Sequence, residues 1–221
     1  LRAGERLHKI ADAGSRGVKI QGKADFGWES IQKRKDGVLK KLRGGIGSLF
    51  AARKVTSFSG RGTITAFGQI NVTDSSGKTT EISADKTILA VGSVPSRIPG
   101  WPEDPKLVCT SDEALHWDKL PKRLLIVGGG VIGCEFACMM NEFGVETTLI
   151  EMMDSLLPEM EPELGRQLES IFKKRGIKVL TGQRVDTPKI TSSGLKTAVG
   201  NKNIECDKVL VATGRRPNTA D

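Results

Sequence analysis

The chain has 221 residues, 38% of them hydrophobic and 27% charged, and a formal net charge of +8. It is long enough to bury a core as one large domain or two small ones, and no apolar run reaches the ~18 residues needed to cross a bilayer. Only 5% is aromatic, with no Tyr, and the basic residues are dispersed; this argues against a nucleic-acid surface, which would interleave the two. Clusters such as "QKRKDGVLKKLR" and "KKRGIK" read as solvated helix faces or as attraction for anionic cofactors.

In chain order, the spacing predicts a helix over Arg2 to Ala13 and another over roughly Trp28 to Ala52. In the latter, Ile31, Val38, Leu39, Leu42, Ile46 and Leu49 make an apolar face. Gly44 and Gly45 are expected to break it into two helices. "RKVTSFSG" reads as a strand, "TITAFGQINVTDSSGKTTEISADK" as short strands around a Ser-Gly turn, and "TILAVG" as a buried strand. The chain begins without Met, inside a helix, which reads as an internal fragment.

Arg123 to Glu151, "RLLIVGGGVIGCEFACMMNEFGVETTLIE", carries the strongest signal. Leu124 to Val127 form a continuous apolar run, as in a strand covered on both faces. Gly128, Gly130 and Gly133 follow in G-x-G-x-x-G spacing, with Gly129, Val131 and Ile132 between them. A helix then runs to Gly144, and a second strand, Glu146 to Ile150, ends at Glu151. Gly128 allows the tight turn, Gly130 lets a diphosphate approach the backbone, and Gly133 lets helix and strand pack closely. The helix amides hold the phosphate charge. Glu151 accepts hydrogen bonds from the adenosine ribose and repels a 2′-phosphate, favouring NAD over NADP.

"EPELGRQLESIFKKRG" is a third helix, with Leu164, Leu168, Ile171 and Phe172 at helical spacing. "IKVLTG" is a strand, the next stretch a set of short strands, and "VLVATG" another buried strand. Cys109, Cys134, Cys138 and Cys206 form no Cys-x-x-Cys or zinc pattern; Cys134 and Cys138, one helical turn apart, read as packing residues.

A phrase repeats. "DKTILAVGSVP" at Asp85 to Pro95 returns as "DKVLVATGRRP" at Asp207 to Pro217, 122 residues later (207 − 85). Each copy closes a module of strand, β-excursion and buried strand, Lys54 to Gly92 and Ile177 to Gly214. Two related domains follow: residues 1–117 and 118–221, the first lacking the glycine fingerprint.

"GGGVIGCEFA", "LIE", "AVGSVPSRIPG", "ATGRRPNT", "LLPEMEPE" and "RKDGVLKKLRGGIGSLF" resemble the pyridine nucleotide–disulfide oxidoreductases along essentially the whole chain, and within them the dihydrolipoamide dehydrogenases. The resemblance implies an α/β chain of two Rossmann-like domains, a partial FAD-binding one and an NAD-binding one, each with an antiparallel excursion. It implies electron flow from dihydrolipoyl thiols through a redox disulfide and FAD to NAD. Partners would be lipoyl domains of a 2-oxo acid dehydrogenase complex and a second copy in a homodimer, with no nucleic acid and no membrane. The compartment would be bacterial cytoplasm, or else mitochondrial matrix.

By the same resemblance, Gly128 to Glu135, including Cys134, match the NAD phosphate loop, and Glu135 an acid facing the nicotinamide. Glu151 matches the ribose-binding acid, Val185 an adenine-lining position, and Gly214 an NAD contact. Gly62, Val91, Gly92 and Ser93 match backbone contacts to the flavin nucleotide, although Val91 stands where the family has Thr. The Cys-x4-Cys motif and the His of a His-Pro base have no match in the chain, which would start with Leu1 just past that motif and stop before the interface domain; His8 and His116 read as surface or packing residues. No catalytic residue is assigned, and the chain alone is expected to be inactive. A sister flavoprotein, such as a mercuric reductase or transhydrogenase, and a non-catalytic NAD-binding module are the alternatives.

Overall fold

The structure, a computed structural model, describes residues 2–19, 21–22 and 25–219; Leu1 lies outside them, as does the side chain of His8. Along the chain run α1 (Arg2–Ala11), α2 (Trp28–Ala52), β1 (Arg61–Ala66), β2 (Gln69–Thr73), β3 (Thr79–Ser83), β4 (Ser93–Pro95), β5 (Val108–Thr110) and α3 (Ser111–Ala114). Then come β6 (Arg123–Val127), α4 (Val131–Glu142), β7 (Glu146–Ile150), α5 (Pro162–Lys174), β8 (Lys178–Leu180), β9 (Lys189–Thr191), β10 (Gly194–Val199), β11 (Lys202–Cys206), β12 (Lys208–Val211) and β13 (Arg215–Pro217). Two compact units divide it: Leu1–Ile31 with Ser93–Asp221, and Gln32–Gly92.

The larger unit is built on a five-stranded parallel sheet in the order β5-β12-β6-β7-β8. Leu124 and Ile126 point to one face, where they meet Ala137 and Met140 of α4, Leu149, and Phe172 of α5. Leu125 and Val127 point to the other, where Leu195 and Val199 of the antiparallel sheet β11-β10-β9 cover them. Coverage on both faces explains why β6 reads as an unbroken apolar run. On α5 the buried residues are Gly165 and Phe172, whereas Leu164 and Ile171 are exposed. The strand β5 was not legible in the sequence; it pairs with β12 and runs into a capping box in which Glu113 accepts from the Thr110 amide at 2.7 Å.

The repeated Asp-Lys now has a physical role. Asp207 accepts from the amides of Lys122 and Arg123 at 2.9 Å each and from the Arg123 Nη2 at 2.9 Å, which locks the start of β12 to the start of β6. Burial pushes the Asp207 carboxyl up, but the Arg123 guanidinium and the two amides outweigh it and hold it below the usual carboxylate range. Asp85, its counterpart, has no such partner among the described residues.

In the smaller unit, β1-β2-β3 form an antiparallel meander, the expected first excursion. Three expectations there are corrected. Gly44 and Gly45 do not break α2, which runs unbroken from Trp28 to Ala52; neither glycine takes a left-handed conformation. "RKVTSFSG" and "TILAVG" are not strands: a parallel strand needs a non-local neighbour, and none stands beside them among the described residues. Ile88 is 90% exposed and Leu89 69%. The apolar face of α2 is likewise uncovered, with no buried residue along the helix.

The Asp207 contact sets a stability test. A depressed carboxyl contributes stability above its unfolded value and loses it as pH falls through the folded one. Asp207→Asn should lower stability at pH 7 by roughly 1–2 kcal/mol, and the gap to wild type should close below about pH 4. Urea midpoints at pH 7 and pH 3 check this; a gap that does not change with pH refutes it.

Candidate functional site

A cleft of 820 Å³ opens at the C-terminal ends of β6, β7 and β12. From β6 the chain steps outward to β7 and β8, while β12 and β5 lie on its other side. Parallel sheets receive ligands at such a switch point, because the connections diverge there and leave a crevice.

The glycines of the loop between β6 and α4 divide by what a side chain would meet. At Gly128, with φ +111°, a Cβ would lie 2.4 Å from the Ala212 carbonyl oxygen. At Gly133 it would lie 1.9 Å from the Gly128 oxygen, and at Gly129 2.7 Å from Leu156 Cδ2. Those three are required by the fold. At Gly130 nothing stands within 4 Å: that position faces open space in the cleft.

The backbone donors divide the same way. Gly128 N–H donates to the Ile150 oxygen at 2.8 Å, and Cys134 N–H to the Gly130 oxygen at 3.0 Å. The N–H groups of Val131, Ile132 and Gly133, in the first turn of α4, have no acceptor among the described residues, and Gly130 supplies no side-chain cap. A neutral, side-chain-free concavity with several free donors suits a diphosphate.

Glu151 stands against this loop, 8% exposed. Its Oε2 accepts from the Gly129 amide at 2.6 Å and its Oε1 from the Met153 amide at 2.8 Å. A carboxylate offers about four lone-pair sites, so two contacts leave it acceptor capacity for hydroxyl groups. The Gly129 carbonyl is held in turn by Leu157 N–H at 2.9 Å and the Cys134 thiol at 3.2 Å. Burial, with the Glu151 charge adding to it, pushes the Cys134 thiol up to about 12. Cys134 is therefore a neutral donor under the loop.

Of the residues singled out in the sequence, Gly128, Gly130, Val131, Ile132, Glu151, Val185 and Gly214 line the cleft together. Val185 is buried and bridges to Val199; Gly214, at φ +122°, accepts from Ser96 N–H at 3.0 Å. Gly129, Gly133 and Cys134 support the loop from behind. Glu135 is exposed on α4 and is not among the lining residues. Gly62 lies in β1 opposite Val72, and Val91 and Gly92 lie in the smaller unit, none of them in the cleft lining. Ser93 opens β4, and its Oγ accepts from Arg215 Nε at 2.8 Å. His116 is exposed and outside the cleft.

Ile98, Trp101, Leu157 and Arg184 are among the lining residues that escaped the sequence reading. Leu157 carries a signal only in retrospect. Among the described residues it is one of two non-glycine residues with positive φ, at +53°, and it directly precedes Pro158.

The sequence profile of the family described as pyridine nucleotide-disulphide oxidoreductase matches residues 4–221. Among curated proteins, dihydrolipoyl dehydrogenase of Bacillus subtilis is 36% identical, covering 99% of this chain and 49% of its own length. The dihydrolipoyl dehydrogenase of Acholeplasma laidlawii is 38% identical, over 92% of this chain and 60% of its own. The chain thus spans about half the length of the curated relatives it matches. Among solved structures, LpdA of Mycobacterium tuberculosis aligns with a TM-score of 0.87 at 24% identity, over 99% of this chain and 48% of that one. The HOCl-induced flavoprotein disulfide reductase RclA of Escherichia coli aligns with 0.74 at 24%, over 86% and 43%. These two likenesses establish the fold.

The glycine partition is testable by urea denaturation. Gly133→Ala should destabilise by about 3 kcal/mol, because the Gly128 carbonyl of the loop would have to move. Gly130→Ala should stay within about 0.5 kcal/mol of wild type. Similar losses at both positions would refute the assignment.

Proposed function

The chain belongs to the pyridine nucleotide-disulphide oxidoreductases, and from that premise we propose that residues 118–221 are the NAD-binding domain of a dihydrolipoyl dehydrogenase and residues 1–117 part of its FAD-binding domain. The observation that carries the reading is the pairing of a donor-rich loop, open at Gly130, with a buried carboxylate at the tip of the next strand.

In this reading the first-turn amides of α4 hold the diphosphate, the helix dipole adding to them. Glu151 holds the Gly129 peptide in place and turns its remaining lone pairs to the adenosine ribose. Val185 and Ile150, both in the cleft wall, make the apolar seat for the adenine. NAD, once bound, supplies the hydride-accepting ring; the chain contributes binding and orientation. Gly62, Val91, Gly92 and Ser93 are assigned to the flavin side by family likeness, and Glu135 to the nicotinamide side.

The whole protein would oxidise dihydrolipoyl groups through a redox disulfide and FAD, as a homodimer serving the lipoyl domains of a 2-oxo acid dehydrogenase complex in the cytoplasm. The cysteines of this chain are not that disulfide. All four are unpaired, and burial raises Cys109, Cys134 and Cys206 to about 12, far above the range of a reactive thiolate.

Titration calorimetry with NAD on wild type and Gly130→Val tests the reading. The variant should fold normally, since the added atoms enter open space, yet bind NAD at least about tenfold more weakly. A folded Gly130→Val chain with wild-type affinity would remove the diphosphate from this loop.

A further inference from the structure

We propose that a second cleft, at the opposite end of the parallel sheet from the first, binds a small amphipathic carboxylate, its apolar body seated inward and its charge at the rim. The cleft has a volume of 540 Å³, within the roughly 300–1,000 Å³ of small-molecule sites. It is lined by Arg123, Glu146 and Lys178, the first residues of β6, β7 and β8. Ligands of parallel sheets ordinarily meet the other, C-terminal ends of the strands. The two clefts share no lining residue, and the inference does not depend on the cofactor reading.

The cleft exists because one face of the sheet is only partly covered, whereas a parallel sheet is normally buried on both. Thr148 pairs with Leu125, and Leu180 with Ile150, so the four share a face. Leu125 and Ile150 are buried in the cluster that Leu195 and Val199 complete. Thr148 and Leu180, nearer the sheet's β8 edge, stay half-buried.

The strand β11 makes the facing wall. All of its residues, Lys202 to Cys206, line the cleft, although successive side chains of a strand point to opposite faces. A cleft that touches every residue meets the strand along its edge, and β11 is the edge strand of β11-β10-β9. Ile204 is half-buried there and packs, like Leu180, against the buried cluster. An apolar body therefore finds a seat between Leu180 on the sheet and Ile204 on the strand.

Charge selects the head group. Both anions of the lining are already matched: Glu146 meets Lys178 Nζ at 2.5 Å, and Glu205 meets Lys196 Nζ at 3.6 Å and Arg123 Nη1 at 3.8 Å. Arg123 also holds Asp207 at 2.9 Å. Lys202 is exposed and has no ion-pair partner among the described residues. Around the cleft, the cations Arg123, Lys178, Lys196 and Lys202 exceed the anions Glu146, Glu205 and Asp207 by one charge (4 − 3). A single carboxylate removes that excess; an ammonium adds to it. The side chains of Thr148 and Asn203, also without hydrogen-bond partners among the described residues, add uncharged donors to the lining.

Octanoate, octanol and octylamine carry one apolar chain behind a negative, a neutral and a positive head, and are the probes. Each is titrated into the isotope-labelled wild-type chain and into Lys202→Glu, and read by the amide resonances of Thr148, Leu180, Asn203 and Ile204. Octanoate should shift these resonances saturably. Octanol should bind at least about threefold more weakly, and octylamine about tenfold more weakly. Lys202→Glu, a change on an exposed side chain, should weaken octanoate about fivefold and leave octanol within about twofold.

A wild type without saturable shifts at these amides overturns the proposal. So does octanol binding as tightly as octanoate, or a Lys202→Glu chain with unchanged octanoate affinity. Shifts at Gly130 and Val131 in their place would put octanoate in the first cleft and overturn it as well.

Discussion

Glu151 is nearly buried and sits 2.6 Å from the Gly129 amide, and a buried carboxylate must find donors wherever it stands. Here the donors are the loop itself. That mutual need fixes the peptide between Gly128 and Gly130, and with it the direction in which the first turn of α4 presents its free amides. Leu157 and Cys134 hold the same peptide by its carbonyl, so Gly129 is clamped on both sides. The carboxylate is thus a structural brace, a duty that its place at the end of β7 does not reveal in sequence; in the proposed reading its remaining lone pairs also meet the ligand.

The segment from β6 to β7 was legible because each of its elements is dictated locally. A continuous apolar run, three glycines, a helical stripe and a stop at Gly144 leave few alternatives. The supporting shell was not legible. Leu157 reaches Gly129 across the loop after β7, and Arg184 and Trp101 reach the same cleft from elements distant in sequence. No periodicity announces such convergence, because it is a property of how the connections wrap.

The first copy of the repeat shows the same distinction in the fold. Its meander, β1 to β3, forms as expected because antiparallel neighbours are adjacent in the chain and carry their own hydrogen-bond partners. "RKVTSFSG" and "TILAVG" match strands of the second copy in wording but not in structure. Their counterparts, β8 and β12, are parallel strands held by β7, β6 and β5. Sequence pattern encodes the faces a strand wants covered; the strand exists only where a neighbour supplies the ladder. The contrast between Asp207, bonded across to β6, and Asp85, without that partner, is the same fact at the scale of one side chain.

The ends of the two phrases meet. Ser93–Pro95 pairs antiparallel with Arg215–Pro217, with Val94 opposite Arg216, Ser93 opposite Pro217 and Pro95 opposite Arg215. Adding the repeat offset of 122 to 93, 94 and 95 gives 215, 216 and 217, so each residue of one copy faces the mirror-ordered residues of the other. The pairing is locally two-fold, centred on Val94 and Arg216. It has a consequence for the cleft, because it is this ribbon that brings Ser93 to Arg215 and ties down that guanidinium.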